Sequence, residues 1–238
     1  MIDIHTHILP CIDDGSPDIE TSIELIKTEI EQGVTDIFVT PHYYHLRGFI
    51  SPVEENKKLF RTLKEEVKKQ GLEVNLYLGT EIYYNRKTLR NLKNNIVKPL
   101  GNSKHVLIEF SLSKEIEDIP EAINNLTAKG YVPVIAHPER YPYIKKIEPY
   151  VYMKKMGAKI QINASALLGK YGGKIKKFVL KLIEKNLVDF VASDMHNFRM
   201  DGLKDAYCVV EKVFSKEKAE QLFNNRTIFN WKNMVLSQ

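Results

Sequence analysis

Residues 1–7 read Met1-Ile2-Asp3-Ile4-His5-Thr6-His7. The run Ile2–His5 is short, mostly apolar and β-branched, the composition of a strand buried on both faces. Its end carries chemistry. His5 and His7 stand two apart on an extended segment, a spacing that sends both rings to one side. Asp13 and Asp14 follow in the next loop.

Working outward, further runs of the same kind recur at Asp36–Thr40, Val74–Leu78, His105–Phe110, Val132–Ala136, Lys159–Asn163 and Asp189–Ala192. Amphipathic stretches fill the gaps. In the first, Ile19, Ile23, Ile26 and Ile30 make one apolar face. Ser16 is the expected N-cap, Pro17 the first helical residue and Gly33 the stop. Other helices are expected near Val53–Gln70, Ile119–Lys129, Ile144–Met156, Ile175–Lys185 and Lys204–Phe223. Tyr83–Lys98 reads ambiguously. Repeated strand-then-helix order predicts a parallel α/β sheet with right-handed crossovers. Seven strands with about as many helices favour a barrel over an open doubly wound sheet. The 238 residues suit one such domain spanning 1–238.

In a parallel barrel every strand C-terminus lies at one mouth. The residues there are Thr40-Pro41-His42, Gly79-Thr80-Glu81, Glu109, Ala136-His137-Pro138-Glu139-Arg140 and Ser193-Asp194-Met195-His196. Five of the seven histidines fall at these ends, with His45 and His105 outside. The sixth strand, ending Gln161-Ile162-Asn163, offers no strong ligand. Each element alone has a bland explanation: a chance His-X-His, a loop-capping Glu81, a hydrogen-bonded Glu109. Together, so many imidazoles and carboxylates at one mouth need a divalent cation to relieve their repulsion and desolvation. Such a cation also lowers the pKa of a bound water. Arg140, three residues after His137, suits a bidentate grip on phosphate. Arg47 and Arg199 flank ligand positions and are candidates for a second clamp.

Composition narrows the class. The apolar fraction is 43% and the net charge +5, with basic and acidic residues mixed along solvated helix faces rather than gathered for nucleic acid. Two cysteines are too few for a disulfide framework, and Met1–His7 lacks the features of a signal peptide, so a cytoplasmic protein with no membrane insertion is expected. A cysteine phosphatase needs Arg six residues after its Cys, but Pro17 follows Cys11 and Phe214 follows Cys208 at that distance. No Gly-X-Ser-X-Gly elbow or phosphate-binding Gly-rich loop occurs.

The segments MIDIHTHILPCIDDGSPD, TPHYYH, GTEIY, LIEF, VIAHPERY, INASALLGKYG and ASDMHN together resemble the PHP (polymerase and histidinol phosphatase) superfamily. Within it, they are most similar to the bacterial capsule-type protein tyrosine phosphatases. The resemblance implies a distorted (β/α)7, TIM-like barrel with three divalent metals, manganese first and iron, magnesium or zinc as alternatives. By motif, His5, His7, Glu81 and Asp194 would hold one metal, and Glu81, Glu109 and His137 a second. Asp14, His42 and His196 would hold the third. Arg140 would stabilise the transferring phosphoryl group. The implied partner is an autophosphorylated bacterial tyrosine kinase in polysaccharide export. A small-molecule phosphatase acting on histidinol phosphate, and a non-catalytic kinase-binding protein, are the alternatives. Two positions depart from the family pattern: Cys11 stands where glycine is usual, and Asp201 where an arginine is, with Arg199 two residues earlier.

Overall fold

A computed structural model describes residues 1–112, 119–197 and 202–224. In chain order its elements are β1 (Ile2–Thr6), α1 (Ile19–Glu31), β2 (Asp36–Val39), β3 (His42–Tyr43), α2 (Val53–Lys69), β4 (Asn75–Leu78), β5 (Glu81–Tyr83) and α3 (Thr88–Lys93). Then follow β6 (His105–Glu109), α4 (Ile119–Thr127), β7 (Val132–Ile135), α5 (Glu148–Lys155), β8 (Lys159–Asn163), α6 (Ala164–Leu168), α7 (Gly173–Glu184), β9 (Phe190–Ala192), α8 (Leu203–Val213) and α9 (Lys216–Phe223). Each strand expected from the sequence forms within one residue of its expected bounds.

All strand pairs are parallel, and they follow chain order round a curled sheet. β2 continues into β3 after Thr40-Pro41, and β4 into β5 after Gly79-Thr80, so each pair is one strand interrupted at the mouth. The last strand meets the first through a parallel bridge between Thr6 and Met195. There Asp194 N donates to His5 O at 3.0 Å, and His7 N to Met195 O at 2.9 Å. Between β4 and β6 the loop at Leu100–Gly101 intervenes: Gly101 N donates to Leu78 O and Leu100 N to His105 O. The result is the expected TIM-like barrel, distorted where that loop wedges in.

Alternation of side chains sorts the core. Ile2, Ile4, Phe38, Tyr77, Leu100, Leu107, Val134, Ala136, Phe190 and Ala192 cluster inside the sheet. Ile37, Val39, Leu76, Leu78, Val106, Ile108, Ile135, Ile160, Ile162 and Val191 face out and pack beneath the helices. Both faces are thus dry, which is why these strands read as continuous apolar runs.

Some local expectations change. Helix α1 is capped by Asp18, not Ser16: the Asp18 carboxylate accepts from Thr21 N at 2.7 Å on an extended backbone. The Ser16 hydroxyl instead donates to Asp18 O. The helix expected from Ile144 begins only at Glu148. The long helix expected over Lys204–Phe223 breaks at Ser215, whose hydroxyl oxygen accepts from Lys218 N and starts α9. The ambiguous Tyr83–Lys98 stretch ends β5 and then forms α3.

Candidate metal centre

The site begins with an irregularity in β1. Asp3 pairs with Ile37 and Thr6 with Val39, so three steps on β1 match two on β2. Such a bulge inserts one residue and shifts the alternation. Before it, Ile2 and Ile4 point into the barrel core. After it, His5 and His7 join the mouth cluster. The Asp3 carboxylate braces the slip, accepting from His5 N at 3.2 Å and from Ser193 N on the closing strand. Asp3 is fully buried, and that burial pushes its carboxyl up to about 6 despite these bonds.

The two rings are oriented from behind. His5 Nδ1 donates to Gln161 Oε1 at 3.1 Å, and His7 Nδ1 to the Asp13 carboxylate at 2.8 Å. In the neutral rings those bonds fix the tautomers and leave lone pairs on both Nε2 atoms. The two Nε2 atoms face each other at 3.1 Å. Glu81 Oε2 lies 3.1 Å from one and 3.2 Å from the other, and Asp194 Oδ1 lies 3.6 Å from each. With the rings neutral, only acceptors converge here.

Glu81 is the hub. Its Oε2 also lies 2.9 Å from His42 Nδ1, and its Oε1 3.2 Å from His137 Nε2. Glu109 Oε1 stands 3.7 Å from the same His137 nitrogen. On the other side, Asp14 Oδ1 is 3.5 Å from both His42 Nε2 and His196 Nε2. His196 Nδ1 donates to Asp194 O, again freeing Nε2. Three groups have ligand atoms all within 4.8 Å of one another: His7, Asp14, His42 and His196; His5, His7 and Glu81; His42, Glu81 and Glu109. All nine residues expected as metal ligands from the sequence therefore meet at one mouth, with Asp14 half-exposed and the others buried.

This donor set fits divalent cations. Asp14 Oδ1, His42 Nδ1, Glu81 Oε2 and His137 Nδ1 are buried without a hydrogen-bond partner. Burial would raise Glu81 and Asp194, but the charge on His5 and its neighbours holds both below the ordinary carboxylate range. Burial would likewise lower His5, yet the Glu81 and Asp194 charges lift it. Burial and the Glu81 charge push Glu109 up to about 7, and burial with the Arg140 charge takes His137 down to about 4. Protons on histidine are what protein groups alone can offer to offset the acids. A divalent cation offers the same charge with better geometry for lone pairs that point inward.

Backbone strain marks the same place. His137 (φ 34°) and Asp194 (φ 53°) both adopt left-handed conformations, an arrangement that non-glycine residues hold at about 1–3 kcal/mol each. Gly15 is needed for a different reason: a Cβ there would come within 2.0 Å of His7 O. Cys11 also has a positive φ of 61°, a conformation that glycine adopts without strain. Its thiol donates to Pro17 O and belongs to none of the three ligand groups.

The arginines divide. Arg140 Nη1 donates to Asp194 Oδ2 at 3.0 Å, with its guanidinium 5.9 Å from the Tyr171 ring centre. Arg47 is exposed and pairs with Asp14 Oδ2 at 3.2 Å. Arg199 lies outside the described residues. Sequence reasoning passed over β8. Gln161 holds His5 and also accepts from His137 N at 3.2 Å. Asn163 Nδ2 donates to Asp194 Oδ2 at 2.8 Å. The available signal was two amides, Gln161 and Asn163, alternating with the isoleucines Ile160 and Ile162. Asp13, noted only as the neighbour of Asp14, orients His7 and also accepts from His42 N.

Known proteins are similar to this chain in sequence and fold. A solved structure described as YwqE from Bacillus subtilis and CpsB from Streptococcus pneumoniae, unique metal-dependent tyrosine phosphatases, superposes with a TM-score of 0.87. It is 34% identical and covers 96% of each chain. The tyrosine-protein phosphatase YwqE of Bacillus subtilis is 35% identical over 96% of this chain and 94% of its own. The tyrosine-protein phosphatase CpsB of Streptococcus agalactiae is 38% identical over 94% of this chain and 95% of its own. A β-aspartyl dipeptidase from Fervidobacterium islandicum, 14% identical, shares the fold alone, at a TM-score of 0.61 over 97% of this chain and 72% of its own. The family described as "Capsular polysaccharide synthesis, CpsB/CapC" matches residues 1–230. With nearly the whole chain matched and the mouth built as described, this protein belongs to the CpsB/CapC family.

Proposed function

We infer that this chain is a metal-dependent tyrosine-protein phosphatase, and that the phosphate of its substrate is received at the His5–Glu81–Asp194 mouth. The observation that carries this reading is the pair of imidazole lone pairs on His5 and His7, pinned from behind by Gln161 and Asp13 and aimed at Glu81 Oε2. Three divalent cations, manganese by preference, are the occupancy we propose. The first would be held by His5, His7, Glu81 and Asp194, the second by Glu81, Glu109 and His137, and the third by Asp14, His42 and His196. When bound, such cations polarise phosphoryl oxygens and make a water acidic enough to react near neutral pH.

The protein's own part is orientation and charge. Gln161 and Asp13 hold the two rings in one tautomer, so the ligand atoms need no reorganisation. Arg140, steered by Asp194, offers guanidinium N–H groups to the non-bridging oxygens as charge builds during transfer. A tyrosyl phenolate leaves with a pKa near 10, so it needs less help from a general acid than an alkoxide does. The physiological substrate we propose is a bacterial tyrosine kinase of capsule or exopolysaccharide synthesis, consistent with the family's description. No helix among the described residues is long and apolar enough to cross a membrane.

The test is hydrolysis of a phosphotyrosine peptide by purified protein with Mn²⁺, with and without chelator. Chelator should abolish turnover, and activity indifferent to chelator would overturn the reading. Histidinol phosphate in parallel should give a much lower kcat/KM.

A further inference from the structure

The ligand layer does not exhaust the mouth. β3 and β5 pair with His42 opposite Glu81 and Tyr43 opposite Ile82. Partners in a parallel pair share a face, and successive residues alternate. His42 and Glu81 face the cluster, whereas Tyr43 and Ile82 pack into the outer core. The next pair, Tyr44 and Tyr83, therefore returns to the mouth face. Tyr83 is also the register partner of Glu109 on β6. One strand repeat, about 6.6 Å, separates this tyrosine layer from the Glu81 layer.

The two rings stack, with centroids 3.9 Å apart and planes 4° from parallel. They are held from outside. Tyr44 and Phe49 exchange backbone hydrogen bonds at 2.7 and 3.2 Å across a tight loop. The Phe49 ring stacks on the ligand His42 at 5.8 Å. The Arg47 guanidinium lies 5.5 Å from the Tyr44 ring centre while pairing with Asp14. Both tyrosines are half-buried, so each keeps some surface open to solvent.

We propose that Tyr44 and Tyr83 form the aryl-recognition wall of the mouth, the phenyl ring of a tyrosyl phosphate packing against this stacked pair while its phosphate sits one layer deeper. The inference rests on the phosphatase reading above. In a tyrosyl phosphate a single ester oxygen separates ring from phosphorus, so the ring stands directly outside the phosphate. Seryl and threonyl phosphates place only an aliphatic carbon there and gain nothing from an aromatic wall. Aromatic pairs favour each other beyond simple area burial, so the wall makes the mouth select for aryl esters.

The experiment measures calorimetric Kd values of phenylphosphonate and methylphosphonate for the full chain loaded with Mn²⁺. Both carry the same anionic head and differ in the ring. Wild type should bind phenylphosphonate roughly three- to tenfold more tightly. Tyr44→Ala and Tyr83→Ala should bring that ratio towards one and leave the methylphosphonate Kd unchanged. Tyr44→Phe, which keeps the ring, should keep the ratio, and Tyr44→Leu serves if the alanine variant does not fold. A wild-type ratio of one, or a ratio unaltered in the ring-deleted variants, overturns the wall. Binding of neither phosphonate overturns it too. In that case, turnover of phosphotyrosine peptide by the same preparation shows whether the phosphatase reading falls with it.

Discussion

Glu81 and Glu29 are both glutamates with no solvent exposure, yet the fold treats them oppositely. Glu81 sits among His5, His7, His42 and His137, and the charge on His5 and His42, with hydrogen bonds from His137 and His42, keeps its carboxyl well below the usual range in spite of burial. Glu29 lies on α1, and neither of its carboxyl oxygens has a hydrogen-bond partner. Burial, with the Asp3 charge adding to it, pushes Glu29 well above the usual range, and the N-terminal ammonium offsets only part of this. A buried acid is thus ionised where hydrogen-bond donors and cations gather, and protonated where they do not. Ionisation at the mouth is a property of the assembled site, not of the residue type.

Breaking the ionised side of this comparison should have the largest effect. Glu81→Ala removes the hub, and steady-state kinetics with saturating Mn²⁺ should give kcat lower by about 10³-fold or more. Retention of more than a tenth of wild-type kcat would remove Glu81 from that role. Arg140→Ala should lower kcat/KM by about 10²-fold, with KM raised and kcat reduced together, because the guanidinium contacts phosphate in both ground and transition states. Gln161→Leu keeps every ligand but frees the His5 tautomer. Metal affinity by calorimetry should weaken about 10- to 100-fold, a range typical of groups that orient metal-binding histidines.

The protonated side responds in stability. Glu29 holds its proton in the folded chain to a higher pH than in the unfolded chain. The folded state therefore binds more protons above the unfolded carboxylate pKa of about 4.3, and stability falls as pH rises through that window. Glu29→Met removes both the titration and the unsatisfied polar atoms. Urea unfolding should show it more stable than wild type at pH 8, on the order of 1–3 kcal/mol, with the gain shrinking towards pH 4. An equal gain at both pH values would mean that the carboxyl does not titrate as described. The smallest expected effect is at Cys11, where Cys11→Gly relieves the left-handed backbone. A gain of about 0.5–1 kcal/mol in the same urea assay is expected, with turnover unchanged.

Much of this was legible in the chain because its signals are local. Apolar runs such as His105–Phe110 and Val132–Ala136 lie close to their strands, since burial on both faces leaves few polar positions to confuse the reading. Helix ends were less legible. Asp18 took the cap expected of Ser16, and Ser215 split a periodic stretch in two, because caps depend on the backbone angle of one residue. The amides Gln161 and Asn163 were passed over for a different reason. Neither is a strong ligand, and their role as braces exists only once β8 lies beside β1 and β7.

His5 and His7 divide what is local from what is not. Their type and spacing at a strand end, taken with the imidazoles and carboxylates at the other strand ends, pointed to a metal mouth in a parallel barrel. Which way they point was not in the spacing. The alternation that buries Ile2 and Ile4 would, if continued, have turned Thr6 inward and both rings away. The one-residue slip against β2, braced by Asp3 and Ser193, reverses that phase. A bulge is a property of two strands pairing, and strand one alone cannot show it.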